Sequence, residues 1–176
     1  MTLRLLGNPP INEMMPQEKD GLMHSSKNSL YDLVAEPLSE FDVEIEISMD
    51  EMIVKINHDN IVPIAKIVKF DSRLDFNYLR CLSAVDYTDR IEIVYHLFSL
   101  EKRHKLILKT SLSPENPTIS SIVSVWPSSN WFEREAHDLY GVEFQNHPAL
   151  SPLLLYDGFE GHPGLKSFPF HEYNEW

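Results

Sequence analysis

The sequence is poor in the residue types that carry much of protein chemistry. Its 176 residues include one cysteine, Cys81, which excludes an internal disulfide, a multi-cysteine zinc site and a self-contained iron–sulfur cluster. Lysine and arginine total 15 against 27 aspartates and glutamates, a net charge of −12. That balance argues against nucleic acid and against an anionic membrane surface as partners. Cys81 itself is predicted to be a small buried residue in a strand.

Long apolar runs are also missing. No stretch approaches the about 18 consecutive apolar residues that a membrane-spanning helix needs. The start of the chain, MTLRLLGNPPINEMM, carries one arginine and two prolines and contains no apolar run of signal-peptide length. We therefore expect no direct membrane insertion, so any association with a membrane would go through another protein.

Two hydrophobic periods alternate along the chain and predict an α+β fold. Residues 28–126 are interpreted as a helix ending near Pro37, two strands, a helix capped by Asp59, and three strands between residues 76 and 110. The economical arrangement is a two-layer domain with helices on one face of a mostly antiparallel sheet. Residues 1–27 mix proline, glycine and charge without a period, and are expected to form a flexible or partner-ordered arm.

The best-bounded element is a short helix predicted within residues 127–141. Asn130 is expected to cap it, with Glu133 completing a capping box, and Gly141 to adopt the left-handed conformation just after it. Arg134 and Asp138 form an i,i+4 pair. The charged groups exceed what solubility needs, so they are either solvated or buried against a partner with paired charges. The apolar arc that should face the core consists of Phe132, Ala136, Leu139 and Tyr140.

Residues 142–176 follow neither hydrophobic period and are rich in proline, glycine and aromatic residues. We expect an extended segment that packs on its own domain or docks on a partner, because its apolar side chains are too many for a solvated tail. These side chains are Phe144, Leu150, Leu153 to Tyr156, Phe159, Phe168 and Phe170.

The histidines of the last third of the chain raise the question of a metal site. Glu133 and His137 are four residues apart on one helix face and could both reach a metal, but no HExxH motif is present and two ligands do not define a zinc site. His147 and His162 each precede a proline, which is typical of turns in which the ring holds a backbone carbonyl or a carboxylate. No nucleophile motif, phosphate-binding loop or dinucleotide fingerprint occurs. The histidines considered as metal ligands are His137, His147, His162 and His171. The residues alone predict a soluble α+β interaction domain.

The stretches NWFEREAHDLYGVEFQNHPAL and DGFEGHPGLKSFPF resemble the signature of the thirty-kilodalton subunit of the proton-pumping NADH:quinone oxidoreductases (respiratory complex I). The resemblance covers roughly residues 76–170. Asn146 departs from it by replacing a glycine, Ser151–Pro152 stands where basic residues are common, and GLKS at residues 164–167 replaces the usual LRKD. The matching positions, which the resemblance makes candidates for a subunit interface, are Trp131, Glu133, Arg134, Glu135, Asp138, Tyr140, Gly141, Phe144, His147, Pro148, Gly161, His162, Pro163, Lys166, Phe168 and Pro169.

The resemblance implies a subunit with no catalytic residues, metal or cofactor of its own. NAD, FMN, iron–sulfur clusters and quinone are then expected on other subunits. The implied partners are the quinone-site subunit and the iron–sulfur subunits of a hetero-oligomeric complex. Such a subunit belongs to the peripheral arm on the cytoplasmic (or matrix) side of an energy-transducing membrane. It supports electron transfer from NADH, ferredoxin or a deazaflavin to quinone, coupled to proton translocation.

Two alternatives remain open. The altered residues 164–167 are compatible with the equivalent subunit of a membrane-bound hydrogenase. A stand-alone metal-dependent enzyme using Glu133, His137 and other histidines belongs to a different class of function. Under the leading hypothesis, Arg134→Ala weakens assembly of the arm because it leaves carboxylates desolvated and unpaired.

Overall fold

The computed structural model describes residues 30–48 and 51–169 of the chain. The predicted arm at residues 1–27, together with Phe170 and His171, lies outside the described residues. Within them the chain forms an α+β fold, in which helices pack on one face of a mostly antiparallel five-stranded sheet. This architecture is the one that the two hydrophobic periods predict.

Alternating apolar residues form the five strands of the main sheet. Their order across the sheet is β1–β2–β5–β4–β3, and β2–β5 is the one parallel pair among these five strands. The predicted hairpins are confirmed. The parallel pair arises because the chain crosses to the far edge after β2 and returns through β3 and β4. The strands are β1 (Val43–Ser48), β2 (Glu51–Ile56), β3 (Tyr78–Asp86), β4 (Ile91–Phe98) and β5 (Lys105–Leu112).

The helices before and after the first hairpin pack into one core with the sheet. Residues 30–35 form α1, and α2 covers Ile61–Phe70. The prediction that Asp59 caps α2 is wrong. Asp59 lies in a 3₁₀ turn ahead of the helix, where its own N–H is held by Asn57 Oδ1 at 3.0 Å. Cys81 lies in β3 as predicted, but it is only half-buried.

The second sheet is not predicted from the sequence. Strand β6 (Thr118–Ser120) pairs in parallel with β7 (Glu143–Gln145), and Ile119 lies opposite Phe144. Each strand has three residues, too few to show a period. Helix α3 (Ser129–Tyr140) connects them, so both of its ends are attached to the fold. The segment after Gly141 begins with the strand β7, whose middle residue Phe144 is buried.

Candidate functional site

The start of α3 differs from the prediction. Asn130 lies inside the helix, and the N-cap residue is Ser128, whose side chain makes no capping hydrogen bond. Glu133 is fully buried, and its Oε1 accepts the backbone N–H of Ile122 at 2.9 Å. A buried backbone N–H requires an acceptor, and Glu133 supplies one to the loop that precedes the helix. The predicted capping box is therefore wrong, and Glu133 joins the helix to that loop.

Glu133 is placed where its ionised form is poorly supported. Burial raises the pKa of its carboxyl group, while the hydroxyls of Ser121 and Ser129, the N–H of Ile122 and the charge of His147 act in the opposite direction. Its second oxygen, Oε2, is buried without a hydrogen-bond partner among the described residues. Burying an ionised carboxylate with so few bonds is unfavourable.

Arg134 and Asp138 bind the segment that follows β7, and not each other. Arg134 donates from Nε to the carbonyl of Ser151 at 3.0 Å and from Nη2 to that of Pro152 at 2.8 Å. Asp138 Oδ2 accepts the backbone N–H groups of residues 153–155, at 3.1, 2.7 and 2.9 Å. The predicted ion pair is wrong, because both charges bind backbone groups. We call Arg134, Asp138 and the bound residues 151–155 the clamp.

The electrostatics of Asp138 suit this role. Burial acts to raise its pKa, but the N–H groups of residues 153–155, helped by nearby His137, outweigh burial and hold the pKa below the usual value of 3.8. Asp138 is therefore ionised throughout the neutral range. Hydrogen bonds to an ionised acceptor are about twice as strong as neutral ones, so the carboxylate is well suited to fix a segment without regular secondary structure.

The end of α3 is held by a later part of the same segment. Gly141 has a φ of +73°, which confirms the predicted left-handed conformation. His162 Nδ1 donates to the carbonyl of Asp138 at 3.1 Å, and the N–H of Gly164 donates to that of Leu139 at 2.8 Å. These bonds satisfy carbonyls that the last turn of a helix leaves open. His162 thus holds a backbone carbonyl, as predicted.

Gly164 accounts for part of the altered run at residues 164–167. A Cβ at this position would lie 2.8 Å from the carbonyl oxygen of Leu139 and 2.9 Å from the ring of Tyr140. Contacts this short do not persist, so a side chain here would displace the segment from the helix. The leucine of the family pattern does not fit this path of the chain.

Asn146, which stands where the family pattern has a glycine, adopts a left-handed backbone conformation. Its φ is +63°, in the left-handed region that glycine enters freely and that asparagine tolerates better than most residues. The turn after β7 therefore has a backbone conformation that a glycine at this position would also adopt.

Substitutions at Asn146 test this explanation. We expect Asn146→Gly to leave the free energy of unfolding within about 0.5 kcal/mol of the parent. Asn146→Val should lower it by about 1–2 kcal/mol, because a β-branched residue is disfavoured at positive φ. Urea unfolding of both variants measures the difference, and equal stabilities would show that the turn does not impose this conformation.

Large apolar side chains remain exposed on the clamp and next to it in the chain. Trp131 and Leu154 are each 61% exposed and Tyr156 is 72% exposed. The guanidinium carbon of Arg134 lies 5.2 Å from the centre of the Trp131 ring, so Trp131 lies against the arginine of the clamp. We call Trp131, Leu154 and Tyr156 the apolar surface. Glu135 is also exposed.

Other candidate residues help to determine the backbone path of the segment after α3. Gly161 has a φ of +88° and lies against the ring of Phe168, 3.0 Å from where a Cβ would be. The N–H of Lys166 donates to Asp86 Oδ2 at 2.7 Å and ties the segment to the β3–β4 hairpin. Phe144 is buried in β7, Tyr140 and Pro163 are half-buried, and Pro148 and Pro169 are exposed.

The structure does not bring Glu133 and His137 together as metal ligands. Glu133 faces Ile122, whereas His137 Nδ1 donates to the carbonyl of Val142 at 3.0 Å. The ring of His147 accepts the N–H of Ala149 on Nδ1 at 3.1 Å, so the prediction that it holds a carbonyl or carboxylate is wrong. Over residues 30–48 and 51–169, no three His, Cys, Asp or Glu side chains are grouped so that they could hold a metal ion. In the same part of the chain, no helix is long and apolar enough to span a bilayer.

The fold and the clamp define a class of protein, an α+β domain whose charged surface helix binds the backbone of the segment that follows it. The family model for the respiratory-chain NADH dehydrogenase, 30 Kd subunit, matches residues 54–174. The chain belongs to this family.

Curated relatives are named as subunits of NADH-quinone oxidoreductase. The relative from Roseiflexus castenholzii is 37% identical over 122 residues, which cover 68% of this chain and 70% of the relative. The relative from Hyphomonas neptunium is 38% identical over 127 residues, which cover 70% of this chain and 62% of the relative. The chain therefore spans less than two thirds of the Hyphomonas protein.

Two solved structures share the fold. The trypsin-resistant fragment 1–134 of Nqo5 superposes with a TM-score of 0.60 at 24% identity, over 69% of this chain and 98% of the fragment. A chain of the membrane-bound sulfane sulfur reductase, an archaeal respiratory membrane complex, superposes with a TM-score of 0.69 at 22% identity, over 80% of this chain and 86% of that one. At these identities the likeness concerns the fold alone.

Proposed function

We propose that this chain is a non-catalytic structural subunit of the peripheral arm of a complex I-type oxidoreductase. It supports electron transfer from NADH, or from ferredoxin or a deazaflavin, to quinone, coupled to proton translocation, while other subunits bind NAD, FMN, iron–sulfur clusters and quinone. Family membership supports the choice of complex. The clamp supports the structural role, because Arg134 and Asp138 bind backbone groups of their own chain.

In this proposal the apolar surface contacts the quinone-site subunit or an iron–sulfur subunit. The clamp holds the backbone of residues 151–155 in place, so little ordering is needed on binding. Exposed tryptophan and tyrosine are typical of the residues that dominate interface energies. The exposed acids on the same helix and segment, Glu135, Asp157 and Glu160, favour a partner whose apolar contact is bordered by lysine or arginine.

A subunit of a peripheral arm lies on the cytoplasmic (or matrix) side of an energy-transducing membrane, and we infer the same location for this chain. Other subunits hold it there. The negative charge of the chain agrees with attachment through proteins, because an anionic lipid surface would repel it.

Purification of the tagged chain from gently solubilised native membranes tests the proposal. Mass spectrometry should identify a quinone-site subunit, iron–sulfur subunits and antiporter-like membrane subunits in stoichiometric amounts. Hydrogenase subunits in place of a quinone-site subunit would favour the membrane-bound hydrogenase alternative. Recovery of the chain alone would contradict both assignments.

Substitutions on the apolar surface test the docking assignment. We expect the double variant Trp131→Ala, Leu154→Asp to reduce the co-purified subunits at least about tenfold, because central apolar residues of an interface contribute about 2 kcal/mol or more each. Its melting temperature should stay close to that of the parent, since both side chains are exposed. Phe70→Ala is the matched control, because Phe70 is 67% exposed but lies on α2. An equal loss of subunits in the control would show that the docking surface is misassigned.

A further inference from the structure

A cavity of about 340 Å³ opens where residues 162–167 lie against the β3–β4 hairpin. Its other walls come from the loop after β5 and from the end of α3. Ile91, one of the lining residues, is 1% exposed, so the cavity reaches the core of the domain. Sites for small ligands measure about 300–1,000 Å³, and a volume near the lower limit also suits one long side chain. We call this space the hairpin cavity.

The hairpin cavity presents negative charge. Asp86, at the end of β3, is the only aspartate, glutamate, lysine or arginine among its described lining residues. Lys166 lies between two lining residues, Leu165 and Ser167, but its Nζ is 5.9 Å from the centre of the ring of Tyr87, which does not line the cavity. The described part of the chain therefore places no lysine or arginine on the cavity wall.

The carboxylate of Asp86 is held in position and can still accept donors. Oδ2 accepts the N–H of Lys166 at 2.7 Å, and Oδ1 accepts that of Thr88 at 2.6 Å. These two N–H groups, helped by the charge of Lys166, keep the pKa of the carboxyl group below its usual value of 3.8, so Asp86 is ionised in the neutral range. A carboxylate has about four acceptor positions. Two of them are used by these bonds, and the others are available to a ligand.

His162 adds a second acceptor at the wall of the cavity. Its Nδ1 donates to the carbonyl of Asp138 at 3.1 Å, so the proton of the neutral ring is on Nδ1 and Nε2 is an acceptor. A Cβ on Gly141, which also lines the cavity, would lie 2.7 Å from this Nε2. With acceptor positions on Asp86 and His162, the cavity favours a ligand that carries N–H groups and a positive charge.

We propose that the hairpin cavity receives a lysine or arginine side chain of a neighbouring subunit. This inference rests on the proposed function, because that function supplies the neighbour. The charged end of the side chain binds the carboxylate of Asp86, with His162 as a further acceptor. Its methylene groups pack against Ile91 and Leu165, as the stems of long basic side chains do on apolar surfaces.

The position of the cavity favours a protein side chain over a free small molecule. The cavity opens on the outer surface, since the lining residues Thr88, Pro114 and Ser167 are exposed. The segment that forms one of its walls also carries Leu154 and Tyr156 of the apolar surface. A subunit docked on the apolar surface contacts this segment, and the exposed acids of the segment favour a partner that carries lysine or arginine.

Ser167→Arg tests whether a cation already in the cavity excludes the partner. Ser167 is exposed and lines the cavity, so the new guanidinium can enter it without disturbing the core. In purification from native membranes, we expect this variant to retain at most about one tenth of the subunits that the parent retains, because the partner's side chain meets a like charge. Ser167→Ala should retain them all. Ser111→Arg is the matched control, since it adds the same charge at an exposed position of β5.

Nuclear magnetic resonance on the isolated full chain tests the cavity independently of the complex. The carboxyl resonance of Asp86, assigned by its loss in Asp86→Asn, should titrate at a lower pH in Ser167→Arg than in Ser167→Ala, because a nearby guanidinium favours the ionised carboxyl group. An unchanged midpoint would overturn the cation site beside Asp86.

The purification separates failure of this inference from failure of the proposed function. Full retention of the subunits by Ser167→Arg, or an equal loss in Ser111→Arg, would overturn the docking role of the cavity while the parent still brings down its subunits. Recovery of the parent chain alone would contradict the proposed function, and this inference with it.

Discussion

Glu133→Ala is expected to lower the free energy of unfolding by about 3–4 kcal/mol. The substitution removes the acceptor for the buried N–H of Ile122, and an unpaired buried donor costs about 1–3 kcal/mol. It also leaves a cavity in the packed core, which costs about 2 kcal/mol or more for side chains of this size. Thermal unfolding should show a melting temperature about 10 °C lower than that of the parent.

The neighbouring Glu135→Ala is the matched control for this result. Glu135 is exposed on the same helix, so the same change in composition and charge should alter stability by no more than about 0.5 kcal/mol. If the two variants unfold at the same temperature, then Glu133 does not join α3 to the loop at Ile122.

Asp138→Ala is expected to release the clamped segment while the core stays folded. Without the carboxylate, the three N–H groups of residues 153–155 lose their common acceptor. Hydrogen bonds to a charged group contribute about 1.5–3 kcal/mol each, so amide exchange at these residues should accelerate by about 100-fold or more. Exchange in β4, at the centre of the core, should change far less.

Asp157→Ala is the control for the clamp, since Asp157 is an exposed acid of the same segment.

Lowering the pH should accelerate amide exchange at residues 153–155, as Asp138→Ala does. Because the folded-state pKa of Asp138 is lowered, its contribution is fully present above pH 3.8 and is lost as the pH falls from 3.8 through the lowered pKa. Slow exchange at residues 153–155 in Asp138→Ala would contradict the clamp.

The parts of the fold that the sequence predicts are those with local signals. Alternation identifies the hairpins, and helical spacing identifies α2 and α3. A glycine after a run of helical residues identifies the left-handed end at Gly141. In each case the information lies within about ten residues, where one backbone period or one special φ angle decides the structure.

The clamp could not be predicted, because its partners are backbone atoms. Arg134 and Asp138 bind carbonyl and N–H groups that every residue carries, so the sequence of residues 151–155 does not mark them as acceptors or donors. A helical wheel likewise places Glu133 with the polar residues, although a distant loop makes it a core residue. The available signal was the excess of charged groups on a short helix, which left open whether these groups are solvated or buried against a partner.

The clamp also changes what Arg134→Ala should do. The sequence suggests a buried carboxylate left without a partner, whereas Arg134 is only half-buried and its carboxylate neighbour Asp138 has three donors of its own. Arg134→Ala then removes the two hydrogen bonds that Arg134 donates to the carbonyl groups of Ser151 and Pro152. Any weakening of assembly would follow indirectly, through a displaced apolar surface.

Site-specific photo-crosslinking from position 154 tests most directly the claim that the clamp presents the apolar surface to another subunit. A benzoylphenylalanine in place of Leu154, irradiated in the native membrane complex, should link the chain to a quinone-site or iron–sulfur subunit. The same probe combined with Asp138→Ala should lose that product, because the segment is no longer held. A complex that assembles normally but yields crosslinks only within the chain would contradict the account.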